Sequence, residues 1–118
     1  MTDVEAGNSL GFFILQDAAG LASTVSDTDT FGFVNGIGEA AKVSDGSDLY
    51  LQLNGSTEDL KIFHSYSESL NSDGVQHALS GVNAGGKSIT IGFEDQTGGG
   101  DRDYGDVAFM VETLNGSL

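Results

Sequence analysis

The apolar residues of this chain occur in short runs separated by Gly, Asn, Asp and Ser, and this pattern limits the possible folds most strongly. The alternation in Leu49–Leu53 places every second side chain on one face, as in a half-buried strand. Helical periodicity is weak throughout, and Val75–Leu79 is compatible with a strand or with one helical turn. The strand-length runs are Gly11–Gln16, Phe31–Asn35, Leu49–Leu53, Leu60–His64, Ser88–Phe93 and Asp106–Glu112.

These runs predict an all-β fold, an antiparallel two-sheet β-sandwich of the jelly-roll-like kind. The turn signal Asn54-Gly55 follows Leu49–Leu53, so a hairpin between that run and Leu60–His64 is one possible pairing. The last two runs flank a glycine-rich segment and are expected to be antiparallel neighbours. Residues 17–30 and 36–48 are predicted surface loops.

Composition excludes several classes of protein. The 118 residues are expected to form one domain, 1–118, and their 4 Lys and Arg against 18 Asp and Glu give a formal net charge of −14. Nucleic acids and anionic membranes require basic patches, so neither is an expected partner. No Cys is present, which excludes disulfides and thiolate metal sites. No apolar run approaches the roughly 18 residues of a membrane span.

The acidic start Met1-Thr2-Asp3-Val4-Glu5 differs from the basic beginning of a signal peptide. We therefore expect a domain cut from a larger protein whose targeting segment lies elsewhere.

The segment Gly92–Asp106, called the acidic loop below, has five carboxylates and five glycines among its fifteen residues. Two carboxylates about 4 Å apart repel by roughly 4 kcal/mol at an effective dielectric constant near 20, so crowding them favours a bound cation. Ca²⁺ takes six to eight oxygen ligands, which such a loop can supply. The alternative is a solvated acidic hairpin loop. The spacing matches neither the EF-hand nor the nonapeptide calcium repeat.

Within this loop, Asp101, Asp103 and Asp106 are the leading candidate ligands. Alternation along an extended segment would place Asp101 and Asp103 on the same side, and a turn at Gly105 could return Asp106 to them. Glu94 and Asp95 would point to opposite faces of a regular strand, so we expect one of them to reach the ion and favour Asp95.

Three segments resemble the bacterial family called domain of unknown function 4114. The longest is Gly92–Phe109, which reads Gly-Phe-Glu-Asp-x-x-Gly-Gly-Gly-Asp-Arg-Asp-Tyr-x-Asp-Val-x-Phe. Leu70–Leu79 is similar to the family's Leu-Asn-x-Asp-Gly-x-x-His segment, and Gly11–Leu15 is similar to its opening strand. Gly105 stands where the family often has Asn, which removes one possible side-chain ligand.

The resemblance implies a calcium-binding β-sandwich module of secreted or cell-surface bacterial proteins, including adhesins of the RTX kind exported by type I secretion. It implies Ca²⁺ as the cofactor. The implied partners are calcium, the neighbouring domains of the parent protein, and an extracellular glycan or peptide during cell adhesion. The ligands that it implies are Glu94, Asp95, Asp101, Asp103 and Asp106.

Other residues of these segments have two interpretations each. Asp73 and His77 could form a second cation site or a ligand contact, although a His hydrogen-bonded to backbone is favoured. Tyr104 is interpreted as a packing residue, with stacking on a ligand as the alternative. Arg102, the only Arg, could pair with a carboxylate or remain at the surface.

Two functions follow from these patterns. The first is a calcium-binding module with an adhesive, ligand-binding or spacer role. The second is a hydrolase domain that acts on an extracellular polysaccharide, which would need a desolvated carboxylate pair away from the acidic loop. Catalysis is not expected, because no nucleophile-elbow motif is present and the two His are thirteen residues apart.

Overall fold

The computed structural model describes Glu5 and residues 7–112, so the acidic start at Met1–Val4 lies outside the described residues. It is nearly all β, with 34% of residues in strands and 12% in helices, which confirms the predicted all-β class. The only α-helix of the described part is the single turn α1 (Ala19–Ala22), within the predicted loop 17–30. The strands are β1 (Phe13–Leu15), β2 (Phe31–Asn35), β3 (Leu49–Leu53), β4 (Ser56–Thr57), β5 (Ile62–His64), β6 (Ala78–Val82), β7 (Ser88–Phe93) and β8 (Val107–Glu112).

Single turns of 3₁₀ helix interrupt the connections at Val43–Asp45, Glu68–Leu70 and Thr97–Gly99. The first of these lies within the predicted loop 36–48, and the last lies in the acidic loop. No helix in the described ranges has the length and apolar character needed to cross a membrane.

The strands pair as three antiparallel sheets, β1–β5, β2–β3–β4 and β6–β7–β8. Asn54-Gly55 is a hairpin turn, as predicted, and both residues have positive φ (51° and 82°), as in a type I′ turn. Its second strand is the adjacent β4, so the predicted pairing of β3 with β5 is wrong. β5 pairs with β1 instead, where buried Phe63 lies opposite Ile14.

The β1–β5 ribbon contacts both larger sheets because successive side chains of a strand point to opposite faces. Phe12 and Ile14 pack on the β6–β7–β8 core of Ala78, Ile91 and Phe93. On the opposite face, Phe13 and His64 contact the Phe33 ring of β2, with centroids 4.9 and 5.5 Å away. The ribbon thus joins the two sheets through aromatic contacts on both of its faces.

The β6–β7–β8 sheet positions the acidic loop. β7 and β8 are antiparallel neighbours, as predicted, from the pair Ser88 and Glu112 to the pair Phe93 and Val107. The segment Val75–Leu79, which the sequence leaves open between a strand and a helical turn, leads into β6. The first residue of β6, Ala78, pairs with Phe93. The loop therefore leaves the sheet at one end, and residues 71–77 lead into β6 beside it.

Candidate metal centre

Glu94 is the first residue after β7, and its side chain is buried although it is ionisable. Its exposure is 1%, and its backbone N–H donates to the His77 carbonyl oxygen at 2.9 Å. Oε1 accepts a hydrogen bond from the backbone N–H of Tyr104. Oε2 has no hydrogen-bond partner among the described residues and is itself buried. An unpartnered buried carboxylate oxygen is costly, and a cation is one partner that would satisfy it.

Two exposed carboxylates converge on Glu94. Ligand atoms of Glu94, Asp101 and Asp103 all lie within 4.8 Å of one another, so this triad could hold a metal ion. Asp101 Oδ1 accepts from the Asp103 N–H at 3.2 Å, and Asp103 Oδ1 accepts from the Gly105 N–H at 2.8 Å. In each member of the triad, one carboxylate oxygen is oriented by a backbone N–H. The second oxygen accepts no hydrogen bond from a described donor.

The backbone of the acidic loop is tightly wound around this triad. The φ values of Gly98, Gly99, Gly100, Arg102 and Tyr104 all lie between 49° and 88°. Such conformations are uncommon for residues other than Gly and collect at functional sites. The turn at Arg102, with φ 59°, brings Asp101 and Asp103 together. The predicted proximity is therefore present, but an extended segment does not produce it.

Gly100 closes the loop over the buried carboxylate. A Cβ on residue 100 would lie 2.7 Å from Glu94 Oε2. Glycine is therefore required here by the close approach as well as by φ of 49°. The result is an oxygen-only cradle, which fits a hard cation.

The electrostatic environment of the triad favours the binding of a cation. Burial is the main cause that raises the pKa of Glu94, and the carboxylates of Asp103, Asp106 and Asp101 raise it further. The N–H of Tyr104 acts in the opposite direction without cancelling these effects. Arg102 is adjacent in sequence but forms no ion pair with a carboxylate of the described residues. The cluster thus lacks a compensating side-chain cation there.

Asp95 and Asp106 form a separate contact at the neck of the acidic loop. The Asp95 N–H donates to Asp106 Oδ2 at 3.0 Å, and the Asp106 N–H donates to the Phe93 carbonyl oxygen at 3.1 Å. Burial raises the pKa of Asp95 first, followed by the charge of Asp106 and, more weakly, of Asp17. Neither Asp95 nor Asp106 belongs to the triad. Of the two neighbours, Glu94 is the one in the triad, whereas the sequence pattern favours Asp95; which of them reaches an ion stays a prediction.

His77 and Asp73 contact each other and the acidic loop. The His77 ring is fully buried and stacks on Phe63, with centroids 3.8 Å apart and planes at 18°. Nδ1 faces the Glu94 carbonyl oxygen at 2.8 Å, and Nε2 faces Asp73 Oδ2 at 2.9 Å. A carbonyl oxygen only accepts hydrogen bonds, so Nδ1 donates to Glu94, while Nε2 shares a hydrogen bond with the Asp73 carboxyl group.

Asp73 also accepts from the Gly98 N–H at 2.7 Å and from the Val75 N–H at 3.1 Å. Burial acts to raise the pKa of Asp73, but the hydrogen bonds from Gly98, His77 and Val75 outweigh it and lower the pKa. The contact between Asp73 and Gly98 spans 25 residues. No local sequence pattern indicates it, and sequence reasoning missed it.

Tyr104 lies at the edge of the triad and is half-buried. Its hydroxyl is 3.4 Å from the Gln76 carbonyl oxygen, a long hydrogen bond to the segment before β6. Its backbone N–H orients Glu94. These contacts agree with a packing role, and the proposed stacking on a ligand stays a prediction.

Comparison with known proteins gives one match. No curated protein and no solved structure matches the chain significantly. The sequence profile of a family described as "Domain of unknown function (DUF4114)" matches residues 4–113, which include every strand and the whole acidic loop. The chain therefore belongs to the DUF4114 family.

Proposed function

We propose that this chain is a calcium-binding β-sandwich module of a secreted or cell-surface bacterial protein. The single observation that carries the proposal is the buried, unpartnered Oε2 of Glu94, on a side chain that offers a ligand atom within 4.8 Å of ligand atoms of Asp101 and Asp103. A cation bound there would satisfy this oxygen and offset the repulsion within the triad. Glu94, Asp101 and Asp103 would hold it.

The donor set favours calcium among common metal ions. All three candidate side-chain ligands are carboxylates, whereas zinc and other transition metals prefer imidazole or thiolate ligands. The nearby imidazole of His77 has both nitrogens engaged elsewhere. Mg²⁺ requires near-ideal octahedral geometry, whereas Ca²⁺ accepts irregular sets of oxygen ligands. A tightly wound loop that presents carboxylates from three positions suits the more adaptable ion.

A ligand-binding role in adhesion is favoured over a closed spacer site. Asp101 and Asp103 are exposed, so a cation held by them would face solvent on that side. Each of the three carboxylates offers one ligand atom here, because its other oxygen accepts a backbone N–H, and three oxygens are fewer than the six to eight that calcium takes. The remaining positions are available to backbone carbonyls, to water, or to a hydroxyl or carboxylate of an extracellular glycan or peptide.

No observation favours the hydrolase alternative. Among the residues that the structure describes, the acidic groups with raised pKa are Glu94 and Asp95, and both lie in the acidic loop. Their environment is explained by the candidate metal centre. We therefore propose a binding module rather than an enzyme.

Calorimetric titration of metal-free protein with Ca²⁺ and, separately, with Mg²⁺ tests the proposal. We expect a dissociation constant for calcium of about 10⁻⁴–10⁻³ M, the range of extracellular modules, and much weaker binding of magnesium. Asp103→Asn should abolish the calcium signal. Asp27→Asn, which removes the same charge from an exposed position outside the triad, should preserve it. Equal binding of both ions, or a full signal from Asp103→Asn, would refute a dedicated site at the triad.

A glycan and peptide array, probed in calcium and again in chelator, tests the ligand-binding role. Signals that disappear in chelator and in Asp103→Asn would support capture through the ion. Signals of equal strength in both solutions would assign adhesion to another surface.

A further inference from the structure

Asp73 and His77 hold the acidic loop at two separate points. His77 contacts the peptide groups on both sides of Glu94: its carbonyl oxygen accepts from the Glu94 N–H at 2.9 Å, and its Nδ1 donates to the Glu94 carbonyl oxygen at 2.8 Å. Both peptide planes next to the buried ligand candidate are thereby fixed. The direction of the Glu94 side chain depends on these two planes.

Asp73 extends this restraint to the glycine turn of the loop. Its Oδ2 is hydrogen-bonded to His77 Nε2 at 2.9 Å and accepts from the Gly98 N–H at 2.7 Å. One oxygen atom therefore connects the histidine that fixes Glu94 with the turn that precedes Asp101. The distance between the buried and the exposed members of the triad is restrained through this atom.

The restraint is itself supported by the fold. The His77 ring is 0% exposed and is stacked on the buried ring of Phe63 in β5. Asn71 joins the same strand to the turn before His77: its Oδ1 accepts from the His64 N–H at 2.7 Å, and its Nδ2 donates to the Val75 carbonyl oxygen at 2.8 Å. The segment that carries Asp73 and His77 is thus fixed to β5.

We propose that Asp73 and His77 are positioning residues that pre-organise the acidic loop for calcium without binding the ion themselves. This inference rests on the proposed function. Both Asp73 oxygens accept hydrogen bonds, Oδ1 from the Val75 N–H at 3.1 Å and Oδ2 from the Gly98 N–H at 2.7 Å, and both His77 nitrogens are engaged in hydrogen bonds. Each polar atom of these two side chains already has a hydrogen-bond partner, so their effect on calcium binding is indirect. Outer hydrogen-bond partners of this kind orient the ligands of many metal sites.

Two substitutions test the proposal. His77→Phe retains an aromatic ring to stack on Phe63 but removes both ring nitrogens and their hydrogen bonds. Asp73→Asn retains the shape of the side chain but removes its charge and replaces one of its two oxygens by an NH₂ donor, so the contacts with His77, Gly98 and Val75 cannot all be kept. We expect each substitution to weaken calcium binding about tenfold or more, the range seen when outer partners of metal ligands are replaced. The control is Leu51→Ala, which removes a fully buried side chain in β3 of a different sheet.

Calcium dissociation constants and apo melting temperatures are measured for all four proteins. The control should lower the melting temperature while its dissociation constant stays within about twofold of wild type, since distant sites act independently. The hydrogen-exchange rate of the Gly98 amide in calcium-free protein is a local readout. In Asp73→Asn this rate should increase by more than the change in global stability alone would cause. A purely structural role would move the melting temperature and leave both the calcium affinity and this local exchange unchanged.

Wild-type calcium affinity in both substituted proteins would overturn the inference, whatever their melting temperatures. If His77→Phe does not fold, Asp73→Asn decides, because Asp73 is the less buried of the two residues. Wild-type protein that fails to bind calcium would refute the proposed function and this inference together. Calcium binding by wild type with unchanged variants would refute the inference alone.

Discussion

The backbone carbonyl oxygen of Tyr104 lies directly against the Cα of Gly92. A Cβ on residue 92 would be 2.2 Å from that oxygen, far inside any real contact. The acidic loop thus folds back onto the strand from which it leaves, and the peptide that follows Tyr104 rests on β7. The Tyr104 N–H also donates to the Glu94 carboxylate. A shift of Tyr104 away from β7 would therefore also change the geometry of the triad.

Gly92→Ala should therefore damage the loop and the fold together. We expect a loss of about 1–3 kcal/mol in the free energy of unfolding, the usual cost of inserting a group into a well-packed region. Calcium affinity should fall as well, since Tyr104 must move away from β7. Chemical denaturation and calorimetry measure the two effects. Gly81→Ala in the adjacent strand β6, where a Cβ meets nothing within 4 Å, should change neither, and equal effects of both substitutions would contradict this explanation.

Glu94→Gln should have opposite effects on the metal-free and the calcium-bound protein. The amide keeps an oxygen for the Tyr104 N–H but removes a charge that burial and three neighbouring carboxylates disfavour. The apo melting temperature should rise or stay constant, while the increase on addition of calcium should disappear. Differential scanning fluorimetry with and without calcium measures both. A variant that keeps the full calcium response would place the ion elsewhere.

Local patterns were enough to predict most of the strands and the position of the candidate site. Leu49–Leu53 and Ser88–Phe93 have the predicted bounds because their alternation reports burial on one face directly. The acidic loop can be located from the sequence alone, because the repulsion among its carboxylates follows from how closely they are spaced along the chain. The pairing of β7 with β8 follows from their position on either side of this loop.

Long-range choices could not be predicted in the same way. The partner of β5 depends on the contact between Ile14 and Phe63, which are far apart in the sequence. The expectation that Asp95, and not Glu94, reaches the ion assumes that both residues belong to a regular strand. In the structure, the Tyr104 N–H and the closure of Gly100 hold Glu94 inside the loop instead. Such effects arise from tertiary contacts and have no local signature.

The contributions of Asp95 and Asp101 to calcium binding can be ranked by experiment. Asp95 contacts Asp106 at the neck of the loop and lies outside the triad, so Asp95→Asn should weaken calcium binding about fivefold or less, as expected for a partly exposed charge near a site. Asp101→Asn should weaken it much more, although its side chain is more exposed. Calorimetric titration of the two variants under one buffer condition gives the ranking. A larger loss in Asp95→Asn would show that the ion binds at the neck, as the sequence suggested.

The stability of the metal-free protein should rise as the solution is acidified from neutral pH. Glu94 and Asp95 have pKa values raised above 4.5 and 3.8, mainly by burial, so the folded state takes up protons more readily than the unfolded state. Their stabilising contribution is complete below the unfolded pKa values and is lost as pH rises through the raised ones.

The contribution of Asp73 to stability has the opposite pH dependence. Hydrogen bonds lower its pKa below 3.8 despite its burial, so its contribution is present above that value and is lost as pH falls through the lowered pKa. Apo melting temperature should thus pass through a maximum on the acidic side of neutrality and then fall. Melting curves across this range measure the profile, and the double variant Glu94→Gln, Asp95→Asn separates the loop from the general relief of the −14 charge. That variant should show a clearly smaller rise; a rise as large as that of wild type would assign the effect to the surface charge as a whole.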